Sequence, residues 1–180
     1  MGQYFKPCIL KKDKKTVLKW VYSHSYGWNG LKLMEHSYIN NDFVKAFETL
    51  ITNNPQHVVW GGDYADNDIG TEKEGTNTYT RCTEKKQVKP FVPTETGRYI
   101  VNHTKQLYID KTKAPLAVVG WGGRIHPLPL LTAEGNLRGG GGDYTGKSGA
   151  KLVGTWARDL ISVESEKPKW FKELIAKFKY

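Results

Sequence analysis

A run of glycines flanked by charged and aromatic residues is the stretch of this sequence best suited to chemistry. Residues 134–144 read Glu-Gly-Asn-Leu-Arg-Gly-Gly-Gly-Gly-Asp-Tyr. Glycines lose more backbone entropy on folding than other residues, so such a run favours positive φ angles or close approach of a ligand. Its successive backbone N–H groups can bind an anion, and nearby cations would add charge-assisted hydrogen bonds to a phosphate or carboxylate. The predicted ligand-binding residues here are Arg138, Gly139, Gly140, Gly141, Gly142, Asp143, Tyr144 and Lys147.

The tetrapeptide Gly-Gly-Asp-Tyr occurs twice, at residues 61–64 and at 141–144. The first copy follows an apolar run at 57–60 that predicts a short buried strand. The repeat indicates either two loops of the same chemistry that face one cavity, or a chance recurrence. The first interpretation adds three residues to the predicted site, namely Trp60, Asp63 and Tyr64. A surface loop that binds nothing is the alternative for the glycine run.

Trp156 and Arg158 follow the glycine run and supply a planar ring and a guanidinium group. In a ligand site, Trp156 would stack on a base while Arg158 contacts a phosphate. The alternative is a core tryptophan beside a local ion pair of Arg158 with Asp159. Trp60 and Trp121 each precede a Gly-Gly pair, which favours a ligand with a planar ring.

Residues 141–148 match the phosphate-binding expression G-x-x-x-x-G-K-[ST]. A true phosphate-binding loop also needs a buried strand before it and a helix that begins at the lysine. Gly149 and Gly154 interrupt any such helix, and only 32 residues follow Ser148. We therefore predict that this match does not mark an ATPase.

An enzyme acting on a nucleotide or a glycan is a second hypothesis. It would use Asp143 or Asp63 as the general base and His126 or His36 as the acid. The five histidines are dispersed, however, and none begins a His-x-Ser/Thr motif. The acidic residues around Asp66 predict a hydrated loop rather than a metal site. We expect no metal and no cofactor.

The 180 residues predict a single domain, 1–180, that is large enough to bury a core. No apolar run approaches the ~20 residues that a membrane span needs, and the N-terminus lacks the apolar segment of a signal peptide. We therefore expect a cytoplasmic protein with no membrane partner. Cys8 and Cys82 predict two reduced thiols.

The net charge of +9 is concentrated at the two ends of the chain. Residues 1–20 hold six lysines and one aspartate, and residues 167–180 hold five lysines and one glutamate, so the region between sums to zero. A nucleic-acid-binding protein would instead carry an arginine stripe with interleaved aromatic residues. This distribution favours solvated ends and argues against a nucleic-acid partner.

The apolar periodicity predicts an α+β fold, with a mostly antiparallel sheet, one central amphipathic helix and a C-terminal amphipathic helix. The central helix begins after Asn40 or Asn41 and places Phe43, Val44, Phe47, Leu50 and Ile51 on one face. The C-terminal helix begins at Pro168 and uses Trp170, Phe171, Leu174, Ile175 and Phe178. Two hairpins are predicted, over 3–23 and 98–109.

Five motifs along most of the chain resemble one protein family. They are Gly2-Gln3-Tyr4, Gly30-Leu-Lys-Leu-Met-Glu-His-Ser37, Gly62-Asp63-Tyr64, the glycine run and Val153-Gly-Thr-Trp-Ala-Arg-Asp159. The sequence resembles a group of small bacterial, phage and mobile-element proteins that share the pattern GQYY…KLMEHS…GDYAD…GNGRGGGDY…VGxWAxD. The group supplies a phage-like context but no established activity. Leu137 departs from the group's usual glycine, and the glycine run is one residue longer here.

From these features we expect a non-enzymatic binder of a small anionic, nucleotide-like ligand. The resemblance implies a phage-encoded sponge that sequesters a host immune signal in the host cell cytosol. A third hypothesis is nucleic-acid or protein-surface binding through the Lys-rich termini, which predicts an affinity that falls steeply with salt. Assembly into a homo-oligomer stays open.

Overall fold

The structure, a computed structural model, describes residues 3–27, 30–66, 76–116, 123–135, 144 and 149–178. Most of the regular structure in these ranges is β-strand. The strands are β1 (Phe5–Leu10), β2 (Val17–Trp20), β3 (Gln56–Gly62), β4 (Tyr99–Asn102), β5 (Leu107–Asp110), β6 (Ala133–Glu134), β7 (Leu160–Glu164) and β8 (Lys172–Glu173). The α-helices are α1 (Leu33–His36), α2 (Asp42–Ile51) and α3 (Pro127–Thr132). This confirms the predicted α+β class.

The eight strands form one sheet in the order β2-β1-β3-β7-β4-β5-β8, with β6 paired to β3. All pairs are antiparallel except β3 with β6 and β5 with β8, which are parallel. Both predicted hairpins are confirmed: β1 pairs with β2, and Ile100 of β4 faces Ile109 of β5. The side chain of Asp13 closes the first turn by accepting from the backbone N–H groups of Lys15 and Thr16.

Helix α2 confirms the predicted central helix and its cap. The Asn41 side chain accepts hydrogen bonds from the backbone N–H groups of Phe43 and Val44, which satisfies two donors that the first turn leaves without helical partners. Phe43 and Phe47 are fully buried, and the Phe47 ring lies 5.0 Å from that of Trp60 on β3. The helix thereby covers one face of the sheet.

Two hydrophobic clusters lie on the sheet. The larger contains α2, Trp60 and Trp156. The smaller consists of Cys8, Leu10, Val17, Trp20, Val59 and Cys82. Side chains alternate across a strand, so Val58 and Trp60 enter the larger cluster while Val59 enters the smaller one.

The C-terminal segment differs from the predicted helix, because it runs extended along the sheet. Strand β8 pairs with β5, and the backbone N–H of Leu174 donates to the carbonyl of Tyr108 over 2.8 Å. Ala176 and Phe178 are buried while Ile175 is exposed, which is the two-residue alternation of a strand. The helical spacing of the apolar residues is thus overridden by backbone pairing at the sheet edge. This corrects the helix predicted from the sequence.

Among the described residues, no helix has both the length and the apolar composition needed to cross a lipid bilayer.

Candidate functional site

An open cavity of about 560 Å³ lies beside the first turns of α2. Its wall is formed by α2, the segment 95–98 before β4, the turn at 111–112 after β5 and the segment 124–126 before α3. We call it the α2 cavity. Its size falls within the roughly 300–1,000 Å³ typical of small-molecule sites. Its charged lining residues are Lys45, Glu48, Glu95, Arg98, Lys111 and Arg124.

Glu48 forms the buried floor of the α2 cavity. Its carboxylate accepts hydrogen bonds from Lys111 Nζ at 2.9 and 2.8 Å, from Thr96 Oγ1 at 2.6 Å and from His126 Nε2 at 3.0 Å. The Glu48 and Lys111 side chains are only 3% and 13% exposed. Burial by itself would raise the pKa of Glu48, but His126 and Lys111 outweigh it and hold that pKa at about 2. The floor is therefore an ionised carboxylate with its partners in place.

His126 has both ring nitrogens engaged. Its Nδ1 accepts from the backbone N–H of Leu128 at 3.2 Å, in the first turn of α3. The proton must then sit on Nε2, which donates to Glu48. Burial lowers the pKa of His126 although Glu48 opposes the shift, so the ring is a neutral structural link between α3 and α2.

The rim of the α2 cavity carries three further cations. Arg98 donates from Nε and Nη2 to Asp110 at 2.9 and 2.6 Å and holds the pKa of that carboxyl far below its usual range. Lys45 pairs with Glu95, whose side chain is 92% exposed. Arg124 donates from Nη1 to the carbonyl of Ala114 at 2.6 Å. Within the described ranges, no carboxylate is paired with Arg124.

This arrangement suits the binding of an anion. Four cationic side chains line the α2 cavity against two carboxylates, Glu48 and Glu95. Glu48 is buried and saturated with hydrogen bonds, so it adds little repulsion at the open mouth. The exposed pair of Lys45 and Glu95 is easily exchanged, since exposed ion pairs contribute little to stability. A ligand anion therefore has Lys45 and Arg124 to contact, whereas Arg98 is engaged by Asp110.

The first Gly-Gly-Asp-Tyr segment begins at the end of β3, next to β6, the short strand that precedes the glycine run in the sequence. Gly61 pairs with Glu134 across the parallel strands β3 and β6. A Cβ atom at Gly62 would lie 2.6 Å from the Gln3 side chain, and one at Gly135 would lie 2.5 Å from it. These two glycines therefore make room for the Gln3 side chain between the end of β3 and the residue that follows β6.

Asp63 and Tyr64 follow β3 and are partly exposed. Two hydrogen bonds join Asp63 to Tyr4. The Tyr4 carbonyl accepts from the Asp63 N–H, and the Tyr4 N–H donates to Asp63 Oδ1, each at 2.9 Å. The remaining residues of the predicted glycine site lie outside the described residues. They are Arg138, Gly139, Gly140, Gly141, Gly142, Asp143 and Lys147.

The predicted aromatic ligand contacts lie in the core. Trp60, Trp156 and Tyr144 are 0%, 1% and 4% exposed, so in this structure their rings offer almost no surface on which a base could stack. Tyr144 packs edge-on against Phe178, with ring centroids 5.6 Å apart. Trp121 lies outside the described residues.

Arg158 is engaged within the protein. Its guanidinium donates to both carboxylate oxygens of Glu134 at 2.7 Å and to Thr78 Oγ1 at 3.0 Å. The alternative pair of Arg158 with Asp159 is replaced, because Asp159 accepts from Asn102 and Lys105. Arg158 thus ties β6 to the 76–83 segment, and we do not include it in the candidate site.

His36, the other histidine of the enzyme hypothesis, is buried with both ring nitrogens hydrogen-bonded. Nε2 accepts from the Trp60 indole at 2.8 Å, and Nδ1 donates to the Gly30 carbonyl at 3.0 Å. Burial lowers its pKa to about 4. Among the described residues, no group of three or more His, Cys, Asp or Glu side chains could hold a metal ion.

The sequence contained one signal for the α2 cavity. Glu48 lies one residue after Phe47 on the helix face that Phe43, Val44 and Ile51 bury. A carboxylate on such a face requires a buried partner. That requirement predicts a polar site, but the sequence does not indicate that Lys111 and His126, far along the chain, supply the partners.

Comparisons with protein-family models, with characterised proteins and with solved structures find no match to this chain.

Proposed function

We propose that this protein binds a small anionic ligand in the α2 cavity and does not chemically transform it. The observation that carries the proposal is the pair of cationic side chains at the rim, Arg124 and Lys45, above a buried carboxylate that is already satisfied. Arg124 is the principal ligand contact, because its guanidinium donates to the neutral carbonyl of Ala114 and not to a carboxylate in the described ranges. A guanidinium that is not paired with a carboxylate can form charge-assisted hydrogen bonds with a ligand phosphate or carboxylate.

The state of the two histidines supports binding without catalysis. A general acid must deliver a proton to the ligand from a nitrogen within hydrogen-bonding reach. His36 and His126 use both of their nitrogens inside the protein. Glu48 is held ionised by Lys111 and His126 and is shielded at the cavity floor, so it is a poor base for a bound ligand.

The finer identity of the ligand rests on the sequence. The glycine run and the family resemblance favour a nucleotide-like molecule, and the phage-like context favours sequestration of a host immune signal in the host cytosol. A cavity of about 560 Å³ has the volume for a molecule of that class. Phosphate groups would contact Arg124 and Lys45 at its rim.

Isothermal titration calorimetry at low salt tests the proposal with four probes: pyrophosphate, ATP, ADP-ribose and a cyclic dinucleotide. We expect at least one probe to bind the wild-type protein. Arg124→Ala should weaken that binding by roughly 10- to 150-fold, the equivalent of one charge-assisted contact. Lys12→Ala removes the same charge from the exposed turn between β1 and β2 and should leave affinity unchanged.

Three outcomes would count against the proposal. They are no binding of any probe, equal affinity of Arg124→Ala and wild type, and equal weakening by Arg124→Ala and Lys12→Ala. Gly140→Val in the same titrations separates the α2 cavity from the glycine run. Loss of binding in Gly140→Val with retention in Arg124→Ala would assign the ligand to the glycine run instead.

A further inference from the structure

Cys8 and Cys82 lie in contact inside the smaller hydrophobic cluster, although 74 positions separate them in the chain. Their Sγ atoms are 3.2 Å apart, and both are free thiols. We propose that these two residues form an intrachain disulfide bond when the protein meets a disulfide oxidant such as oxidised glutathione. This inference is independent of the proposed ligand and goes beyond the reduced thiols that the sequence predicts.

The geometry requires only a small movement. A disulfide bond is about 2.05 Å long, so the sulfur atoms must approach by little more than 1 Å, which side-chain rotation can supply. Each thiol is held loosely by one backbone carbonyl: Cys8 Sγ lies 3.3 Å from the Lys6 oxygen, and Cys82 Sγ lies 3.3 Å from the Thr78 oxygen. Thiol hydrogen bonds are weak, so these contacts do not prevent the rotation.

The surrounding backbone keeps the two thiols together. Cys8 lies in the middle of β1, paired to both Trp20 and Val59. The segment with Cys82 is fixed to β2 because the Trp20 indole donates to the Thr83 carbonyl at 2.8 Å. The Val88 N–H also donates to the Trp20 carbonyl at 2.9 Å. The packing of the sheet therefore holds the two sulfur atoms in contact.

The reaction proceeds by two thiol–disulfide exchanges. Cys82 is 7% exposed while Cys8 is fully buried, so Cys82 reacts first. Its thiol loses a proton, the thiolate attacks one sulfur of oxidised glutathione, and one glutathione thiolate leaves. Cys8 then loses its proton and attacks Cys82 Sγ in the mixed disulfide, releasing the second glutathione. Two protein thiols are oxidised, one glutathione disulfide is reduced, and the two protons pass to the glutathione thiolates.

The bond would join β1 to the 76–83 segment and close a long loop in the unfolded chain. Cross-links of this kind stabilise proteins mainly by restricting the unfolded state. For a chain of this length the melting temperature should rise by about 5 to 15 °C on oxidation.

The test treats the folded wild-type protein with oxidised glutathione, blocks remaining thiols under denaturing conditions, and maps the peptides without reduction. We expect a linked peptide pair containing Cys8 and Cys82, and a melting temperature that falls again on reduction. Cys8→Ala should instead stop at a glutathione adduct on Cys82. Cys82→Ala should remain unmodified, and it serves as the comparison if Cys8→Ala does not fold.

Recovery of both thiols in blocked form, glutathione adducts without the linked pair, or disulfides only between chains would each overturn the inference. A linked pair with an unchanged or lower melting temperature would overturn the stabilising role.

Discussion

The indole of Trp60 donates a hydrogen bond to Nε2 of His36 over 2.8 Å, within the core of the protein. Since an indole N–H can only donate, Nε2 must be the acceptor and Nδ1 must carry the proton. That proton is given to the Gly30 carbonyl at 3.0 Å. The neutral ring therefore joins β3 to the segment before α1, and burial keeps its pKa at about 4.

This relationship predicts a loss of stability in mild acid. Between pH 6.5 and about 4 the unfolded state binds a proton that folded His36 does not, so the free energy of unfolding falls as the pH falls through this window. The full contribution of His36 is about 3 kcal/mol, and His126 acts in the same direction. Urea unfolding at a series of pH values measures this change in the free energy of unfolding.

The matched variants are His36→Gln, which keeps an acceptor for Trp60, and His24→Gln, at an exposed position. The free energy of unfolding of His36→Gln should depend less steeply on pH than that of the wild type between pH 6.5 and 4. His24→Gln should follow the wild-type profile. An unaltered profile in His36→Gln would show that the ring titrates freely in the folded protein.

A second prediction concerns the floor of the α2 cavity. Glu48→Gln preserves the shape of the side chain but removes the charge opposite Lys111, whose side chain is 13% exposed. Removing one member of a buried ion pair typically costs about 3 to 5 kcal/mol, because the other charge stays buried. We expect a loss of this size in chemical denaturation.

Glu95→Gln is the control on the same cavity, since Glu95 pairs with Lys45 at an exposed position. Its effect on the free energy of unfolding should be far smaller. Comparable losses in the two variants would mean that Glu48 is not the structural centre of the site.

The elements that the sequence predicted well are those determined by neighbouring residues. Asn41 and the apolar positions of α2 specify both the start and the buried face of that helix. The two hairpins depend on short turns between apolar runs, which also makes their strands antiparallel. These features needed no information about distant parts of the chain.

The α2 cavity could not be predicted in the same way, because its parts meet only in the folded sheet. Glu48, Lys111 and His126 come from three separate parts of the chain, and their hydrogen bonds form only when those parts are packed together. The C-terminal segment shows a different limit of prediction from sequence. Phe171, Leu174 and Phe178 fit a helical period, while Leu174, Ala176 and Phe178 fit a strand period, and the pairing of β8 with β5 decides between them.

The extended C-terminal segment makes its own prediction. Phe178 is fully buried against Tyr144 and Gly149, whereas Ile175 is 63% exposed. Phe178→Ala should cost about 3 to 5 kcal/mol of stability, as for other buried phenylalanines. Ile175→Ala should have little effect. The amphipathic helix predicted from the sequence would bury both side chains, so similar losses in thermal or urea unfolding would favour that helix over the extended segment.

The last prediction concerns the phosphate-binding expression at residues 141–148. That motif binds nucleotide only when a buried strand precedes it and a helix begins at its lysine. Among the described residues, the last strand before the motif is the two-residue β6, and a short 3₁₀ turn at Ala150–Leu152 follows the motif. Gly149 has a φ angle of 86°, in the left-handed region, so the described chain does not continue from the motif as a long α-helix.

We therefore expect no magnesium-dependent release of phosphate from ATP above the buffer background, in either the wild-type protein or Lys147→Ala. The assay should use protein that has passed the melting measurement, so that an inactive result reflects folded molecules. A nucleotide-hydrolysing enzyme makes the opposite prediction: turnover in the wild type that Lys147→Ala abolishes, because the lysine contacts the terminal phosphates. Binding of ATP without turnover would agree with the proposed role as a ligand-binding protein.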